Sequence, residues 1–267
     1  MDAHKEEIAA TFDLRARGYR HSDWHRASAA RLVDLCRLKP GDRVLDAGTG
    51  TGFAALHAAR QIGDPGRVVG VDLSHGMLSE ARADAAASGL TNVEFIQCDA
   101  TSLAQFGDSA FDVVTAATSL VYIPVEEGLR EWHRLLAAGG LMAFSTIEAG
   151  FPLGARLFRE CAAQYGVLIA DPWASLGSAD ACRNALAAAG FLDAEIVTES
   201  IQFSVRDLDR AWESNFRSPP HKAVRDLPSE SLFDLQHRYE ALVAAEMRAE
   251  PARVLQSPML YAVARRG

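Results

Sequence analysis

A chain of 267 residues with 49% hydrophobic and 23% charged residues has the make-up of a folded protein, large enough for one α/β domain or a core domain with an insertion. Its formal net charge of -8 argues against nucleic acid as substrate, because phosphate binding needs clustered Lys and Arg. No window approaches the ~18 consecutive apolar residues of a membrane span, and the polar, acid-bearing start Met1-Asp2-Ala3-His4-Lys5-Glu6-Glu7 does not read as a secretory leader. Cys36, Cys98, Cys161 and Cys182 stand far apart with no Cys-x-x-Cys pair, which leaves a zinc site or disulfide framework unsupported. The expectation is four reduced, mostly buried thiols in a cytoplasmic protein. The sequence contains no internal repeat and no low-complexity linker.

In chain order, Ile8 and Phe12 lie four apart and Tyr19 follows, which predicts a short helix or lid over residues 5–20. Ser22 is placed to cap a second helix that carries Ala29, Leu32, Val33 and Cys36 on one face and ends before Pro40. Then comes Val44-Leu45-Asp46-Ala47-Gly48-Thr49-Gly50-Thr51-Gly52: an apolar run ending in an acid, followed by glycines at every second position. Phe53, Leu56 and the alanines of 54–59 resume at helical spacing, so the stretch reads as strand, tight loop and helix. Glycine lets backbone approach a ligand closely, and the helix start aims free N–H groups at the loop, which suits a negatively charged group. The spacing is not the Gly-x-Gly-x-x-Gly of a dinucleotide fingerprint. Asp46 is placed to accept hydrogen bonds from an ammonium group or from loop amides.

Asp72 closes a second strand, Val68-Val69-Gly70-Val71-Asp72, where a carboxylate can accept two ribose hydroxyls. Asp99 follows a third strand-like run, and Phe111 to Ala117 forms a fourth that leads into Thr118-Ser119-Leu120-Val121-Tyr122. Ser74 is an expected N-cap for a helix burying Met77, Leu78, Ala81 and Ala85. Leu129, Trp132, Leu135 and Leu136 form the apolar face of another helix, stopped by Gly139-Gly140. Residues 43–147 thus read as five alternations of strand and helix, giving a parallel sheet whose ligand lies outside the carboxyl ends of the strands. Beyond Ile147, the pattern predicts helices around Leu153–Cys161 and Ala179–Ala189, a sixth strand over 194–203 and a seventh over 258–265. Leu208, Trp212 and Phe216 predict a helix broken at Pro219-Pro220, and Leu232 to Met247 a longer one ending near Pro251.

The runs DAGTGTG, VVGVDLS, QCDAT, FDVVTAATSLVYIP and LLAAGGLMAFS together resemble the class I S-adenosylmethionine-dependent methyltransferases. In order and spacing they are most similar to the ubiquinone/menaquinone-type small-molecule branch, over roughly residues 40–147. The resemblance implies a Rossmann-like, doubly wound α/β fold with a seven-stranded sheet whose last strand is antiparallel. Residues 1–39 would be an N-terminal helical lid, 40–203 the cofactor-binding core, 204–257 a helical insertion over the substrate site, and 258–267 the final strand. It further implies that Asp46 and Gly48, in the loop with Thr49, Gly50 and Gly52, hold the methionine end of the cofactor. Asp72 would hold the ribose, Asp99 and Ala100 would face the adenine, and Leu73 and Met77 would form apolar walls. Ala117 to Tyr122 would line the passage to the substrate. The sulfonium is a cation and aromatic faces attract cations, which makes Tyr19 a cofactor-facing candidate, with Phe12 and Trp24 read as packing the lid.

Methyl transfer from a sulfonium is an in-line displacement governed by alignment and exclusion of water, with a base needed only where the acceptor holds its proton. His21, His25, His133, His221, Tyr122 and Tyr165 are the candidates; Tyr122, just past the fourth strand, and His25, on the lid helix, are placed best. No Asn-Pro-Pro-Tyr run, cysteine pair or metal trio is present. The expected acceptor is a small, largely apolar metabolite methylated at O, N or C, with S-adenosylhomocysteine as the second product, no metal, no nucleic-acid or membrane partner, and a monomer or homodimer. Two other readings share these residues: the sulfonium used only electrostatically for a cyclisation or decarboxylation, and a non-catalytic cofactor-binding subunit. An oxidoreductase is the poorest fit.

Overall fold

The computed structural model describes residues 3–267; Met1 and Asp2, the start of the polar N-terminal run, lie outside them. Seven strands, β1 (Arg43–Ala47), β2 (Arg67–Asp72), β3 (Val93–Gln97), β4 (Phe111–Ala117), β5 (Leu136–Ile147), β6 (Phe191–Gln202) and β7 (Gln256–Arg266), form one sheet in the order β3-β2-β1-β4-β5-β7-β6. The pairs β1–β2, β1–β4, β2–β3 and β4–β5 are parallel, and β7 runs antiparallel between β5 and β6. The order reverses at β1, so the crevice at its carboxyl end is the switch point where such sheets take a ligand.

Alternate strand residues face opposite layers. Val44, Val68 and Val113 pack under the helices α2 (Asp23–Cys36), α3 (Phe53–Ile62) and α4 (His75–Ala87). Leu45, Val69 and Val114 pack under α5 (Val125–Leu135) and α7 (Ala179–Ala188). Leu32 and Val33 are fully buried in the first of these clusters, so α2 is a layer of the core, and of the N-terminal segment only α1 (Ala3–Tyr19) lies across the crest of the sheet.

Four local expectations need correction. No helix joins β3 to β4, where residues 98–110 make turns, so residues 43–147 hold five strands but three intervening helices. Leu136 opens β5, and Gly139 and Gly140 lie inside that strand; a Cβ at Gly140 would meet the Ala137 carbonyl at 2.8 Å. Ser22 occupies the N-cap position of α2, but its hydroxyl meets the His25 ring at 2.7 Å and caps no backbone amide. The helix expected over Leu208 to Phe216 is two short ones, α8 (Val205–Asp209) and α9 (Ala211–Phe216), meeting at Arg210.

The insertion continues as a 3-10 helix (Pro219–Asp226), α10 (Ser229–Ala249) and α11 (Pro251–Leu255). With α6 (Leu153–Ala163) it builds a third apolar cluster around Phe158, Val224, Leu235 and Tyr239.

Candidate functional site

The loop after β1 is clamped by two carboxylates. Asp46 is 1% exposed, and its oxygens accept hydrogen bonds from Thr49 Oγ1 at 2.6 Å, Thr115 Oγ1 at 2.8 Å and the Ala55 amide at 3.2 Å. Burial pushes its pKa up to about 6, against the pull of those three donors, and the Asp72 charge adds to the rise. Gly48 and Gly50 stand at φ 70° and 54°, a region that side chains disfavour. A Cβ at Gly48 would lie 2.5 Å from Ser119 Cβ, so bulk is excluded there as well.

Asp72 ends β2 on the other side of the loop. One of its oxygens accepts from the Gly50 amide at 2.8 Å and the other from the Ser74 amide at 2.8 Å. Burial raises its pKa in spite of these backbone donors. A carboxylate oxygen has more than one acceptor site, so each retains capacity for a ligand hydroxyl. Asp99, past β3, is more fully engaged: Lys5 Nζ meets one oxygen at 2.7 Å, and the Thr101 amide and hydroxyl meet the other at 2.9 and 2.8 Å. Burial pushes the Asp99 carboxyl up, but Lys5 and Thr101 outweigh it and hold it below the usual range.

A cavity of about 80 Å³ lies between this crest and α1. Gly48, Gly50, Asp72, Leu73 and Met77 line it from the first two strand ends. Asp99, Ala100, Ala117 and Tyr122 line it from the next two, and Tyr19 lines it from α1. Asp46, Thr49 and Gly52 do not. Asp46 and Thr49 bond to each other, and a Cβ on Gly52 would press on Ala81 and Phe95. Asp46 instead bonds within the loop and to β4, which it helps hold in shape, with one oxygen taking a single donor, Thr115.

α1 is tied down at its middle and both ends. Asp13 accepts from Ser74 Oγ at 2.6 Å and from the Gly76 amide at 2.7 Å, at the start of α4. Arg20, just past its last turn, reaches Glu80 at 2.8 Å and also bonds Asp84, while Lys5 holds Asp99 at the other end. This brings Phe12 to 5.0 Å from Tyr122 and Tyr19 to 4.3 Å from His25, centroid to centroid. Burial raises the Tyr19 phenol and holds the His25 ring well below its ordinary pKa, with Arg15 adding to the latter, so both are neutral at neutral pH.

A second cavity of about 500 Å³ opens between α1, α2, α6 and the insertion. It shares Phe12, Tyr19, Thr118 and Tyr122 with the first, so these four side chains form the wall where the two meet. His25, Trp24, Trp173 and Phe203 line only the larger one. Of the other proton-transfer candidates, His221 reaches this cavity, His133 packs edge-on to Phe191, His21 is exposed, and Tyr165 packs into the third apolar cluster. Sequence reading missed Phe12 as a lining residue and missed Arg159, 9% exposed on α6 and facing the larger cavity. No group of His, Cys, Asp and Glu suited to a metal occurs among the described residues.

Residues 44–140 match the family described as "Methyltransferase domain". The aklanonic acid methyltransferase DauC of Streptomyces sp. (strain C5) is 32% identical over 147 residues, 54% of this chain and 66% of that protein. The ubiquinone/menaquinone biosynthesis C-methyltransferase UbiE of Stenotrophomonas maltophilia (strain R551-3) is 39% identical over 130 residues, 47% of this chain and 51% of that protein. The chain thus spans between half and two thirds of the length of these relatives. Among solved structures, the [4+2]-cyclase SpnF superposes with a TM-score of 0.54 at 26% identity, covering 88% of this chain and 80% of that one. Together with the strand order and the acids at the tips of β1, β2 and β3, these matches mark residues 44–140 as a methyltransferase domain and support a class I S-adenosylmethionine-dependent methyltransferase.

Proposed function

We propose that this chain transfers a methyl group from S-adenosylmethionine to a small, largely apolar acceptor and releases S-adenosylhomocysteine. The observation that carries this reading is the pair of adjoining cavities, one under the crest beside Asp72 and one walled by Trp24, Trp173 and Phe203, with Phe12, Tyr19, Thr118 and Tyr122 between them. S-adenosylmethionine, when bound, supplies an electrophilic methyl at a sulfonium centre.

The residues present fit that group. Asp72 has spare acceptor capacity on both oxygens for the ribose hydroxyls, and Gly48 and Gly50 leave the loop face free of side chains. Leu73, Met77 and Ala100 offer apolar contact, and Asp99 offers an acceptor that Lys5 must share with or yield to an adenine amino group. α1 covers the cavity under the crest, so in this reading it moves outward as the cofactor enters. Once closed, Phe12, Tyr19 and Tyr122 keep water from the junction, and their faces favour a cation there. His25, held neutral, serves better as a hydrogen-bond acceptor for the substrate than as a strong base; Tyr122 is the proton-handling group nearest the crest. The rate then comes mainly from positioning.

The names of the two relatives point to aklanonic acid and to ubiquinone/menaquinone biosynthesis, which supports polycyclic and quinone-like acceptors as the panel to try. Mass spectrometry of the products tests the proposal: a product heavier by one methyl group is expected. The similarity to a [4+2]-cyclase supports a second reading, in which an isomer of unchanged mass forms. Calorimetric titration should give binding of S-adenosylhomocysteine and none of NAD; the reverse result ends the proposal. No helix among the described residues is long and apolar enough to cross a membrane. With its four cysteines unpaired we place the protein in the cytoplasm, as a monomer or homodimer acting on a diffusible substrate.

A further inference from the structure

Two residues that line the larger cavity each carry a polar atom that is buried without a partner. Arg159 Nη1 is one. The other side of the same guanidinium, Nη2, lies 3.4 Å from Asp171, whose oxygens also take the Gly150 amide at 2.6 Å and the Trp173 amide at 3.2 Å. Asp171 therefore divides its charge between three donors, and the guanidinium is left with a buried, unanswered N–H edge. A cationic group in that state is costly unless an acceptor meets it.

His221 Nε2 is the second group. Its Nδ1 lies 2.8 Å from the Asn215 carbonyl oxygen, and a carbonyl can only accept, so Nδ1 carries the proton. Nε2 is then a bare lone pair, and the ring is 2% exposed and stacked on Phe158 at 5.0 Å. Burial holds the ring at a pKa of about 4, which keeps it in that neutral form. One group wants an acceptor and the other wants a donor, and the Arg159 charge is near enough to depress the His221 ring, so a single ligand head can answer both. The cavity around them, about 500 Å³ with Trp24, Trp173 and Phe203 in its walls, has the size and surface for an aromatic body.

We propose that Arg159 and His221 anchor the methyl acceptor by an acidic head, a carboxylate oxygen accepting from Arg159 Nη1 and a neighbouring hydroxyl donating to His221 Nε2. The acceptor is then a hydroxylated aromatic carboxylic acid. Neither residue lines the crest cavity, so this head is the distal anchor and a different atom of the substrate is presented to the methyl group. The assignment of which end reacts rests on the methyltransferase reading; the binding itself does not.

The test is a titration of the whole chain, with and without S-adenosylhomocysteine, using 3-hydroxy-2-naphthoate, 2-naphthoate and 2-naphthol. The hydroxy acid should bind about ten- to a hundredfold more tightly than 2-naphthol, with 2-naphthoate between them, since a charge-assisted hydrogen bond accounts for that range. Arg159→Gln should remove the advantage of both acids and leave 2-naphthol unchanged, while His221→Phe should remove only the advantage of the added hydroxyl. Arg159→Lys, which keeps the charge but loses the planar fork, should fall between wild type and Arg159→Gln. The affinity for S-adenosylhomocysteine reports independently that each variant is folded. Equal affinity of wild type for the three probes, no binding of any, or an acid preference that survives Arg159→Gln overturns the anchor. Failure of wild type to bind S-adenosylhomocysteine overturns the methyltransferase reading instead, and the naphthoate series in cofactor-free protein still decides the anchor.

Discussion

Asp46 and Asp72 stand at the ends of adjacent strands and both accept hydrogen bonds from the loop after β1, yet their surroundings separate their work. Asp72 keeps acceptor capacity toward the cavity, so Asp72→Ala should weaken S-adenosylhomocysteine binding by about 1–3 kcal/mol, read by calorimetry. An unchanged dissociation constant would remove Asp72 from the ribose. Asp46 bears on stability through its burial. Its pKa rises from 3.8 to about 6 on folding, so the folded state holds the proton more readily than the unfolded one. Its contribution is most favourable below the unfolded value and is lost as the pH rises through the folded value. Denaturant titrations of wild type and Asp46→Asn should therefore diverge between pH 4 and pH 6, with wild type losing on the order of 2–3 kcal/mol relative to the variant. Parallel curves would refute the buried-acid assignment. The position of both acids at strand tips can be read from sequence. The inward turn of Asp46 cannot, because Thr115, which helps hold it, is 69 residues away on β4. Arg159 is hidden for a similar reason: it is one charge on an amphipathic helix until the insertion covers it.

At the scale of the element, α1 is helical for local reasons and positioned for distant ones. The spacing of Ile8 and Phe12 is enough to place the helix. Its seat depends on Asp13 at the start of α4 and Lys5 against Asp99, contacts 61 and 94 residues apart in sequence. Asp13 accepts from two donors at a helix N-terminus, where a carboxylate is favoured by both hydrogen bonding and the helix dipole. Asp13→Ala should loosen α1 by about 1–2 kcal/mol, raising amide hydrogen exchange across residues 3–19 roughly tenfold while β1 and β4 keep their protection. Uniform loss of protection would mean that α1 is an integral layer and not a separable cover. The same logic explains the helices of the insertion. The four-residue repeat of Leu208, Trp212 and Phe216 marks the apolar side, but not the break at Arg210, whose side chain makes a tertiary contact, Nη1 donating to the Gly18 carbonyl at 3.0 Å.

Across the whole molecule, α1 walls both cavities through Phe12 and Tyr19, which gives the occupancy of one a route to affect the other. The doubly wound sheet was readable because each strand and its acid are local patterns. The shape of the larger cavity was not, because it is assembled from α1, α6, α8, α9 and the 3-10 helix, which are distant in sequence and meet only in the fold. A ligand that seats α1 over the crest completes part of the wall for the second ligand, so the second binds to a site already ordered. The coupling has to be reciprocal, as linkage requires for any two binding equilibria. S-adenosylhomocysteine should therefore raise the affinity for an aromatic acceptor probe by about five- to fiftyfold, and the probe should raise the affinity for S-adenosylhomocysteine by the same factor, both read by calorimetry. In Asp13→Ala, where closure of α1 is weakened, each ligand should still bind alone but the factor should fall toward one. Coupling that persists at full strength in that variant would show that the cavities communicate through Tyr122 and the sheet crest, with α1 as a bystander.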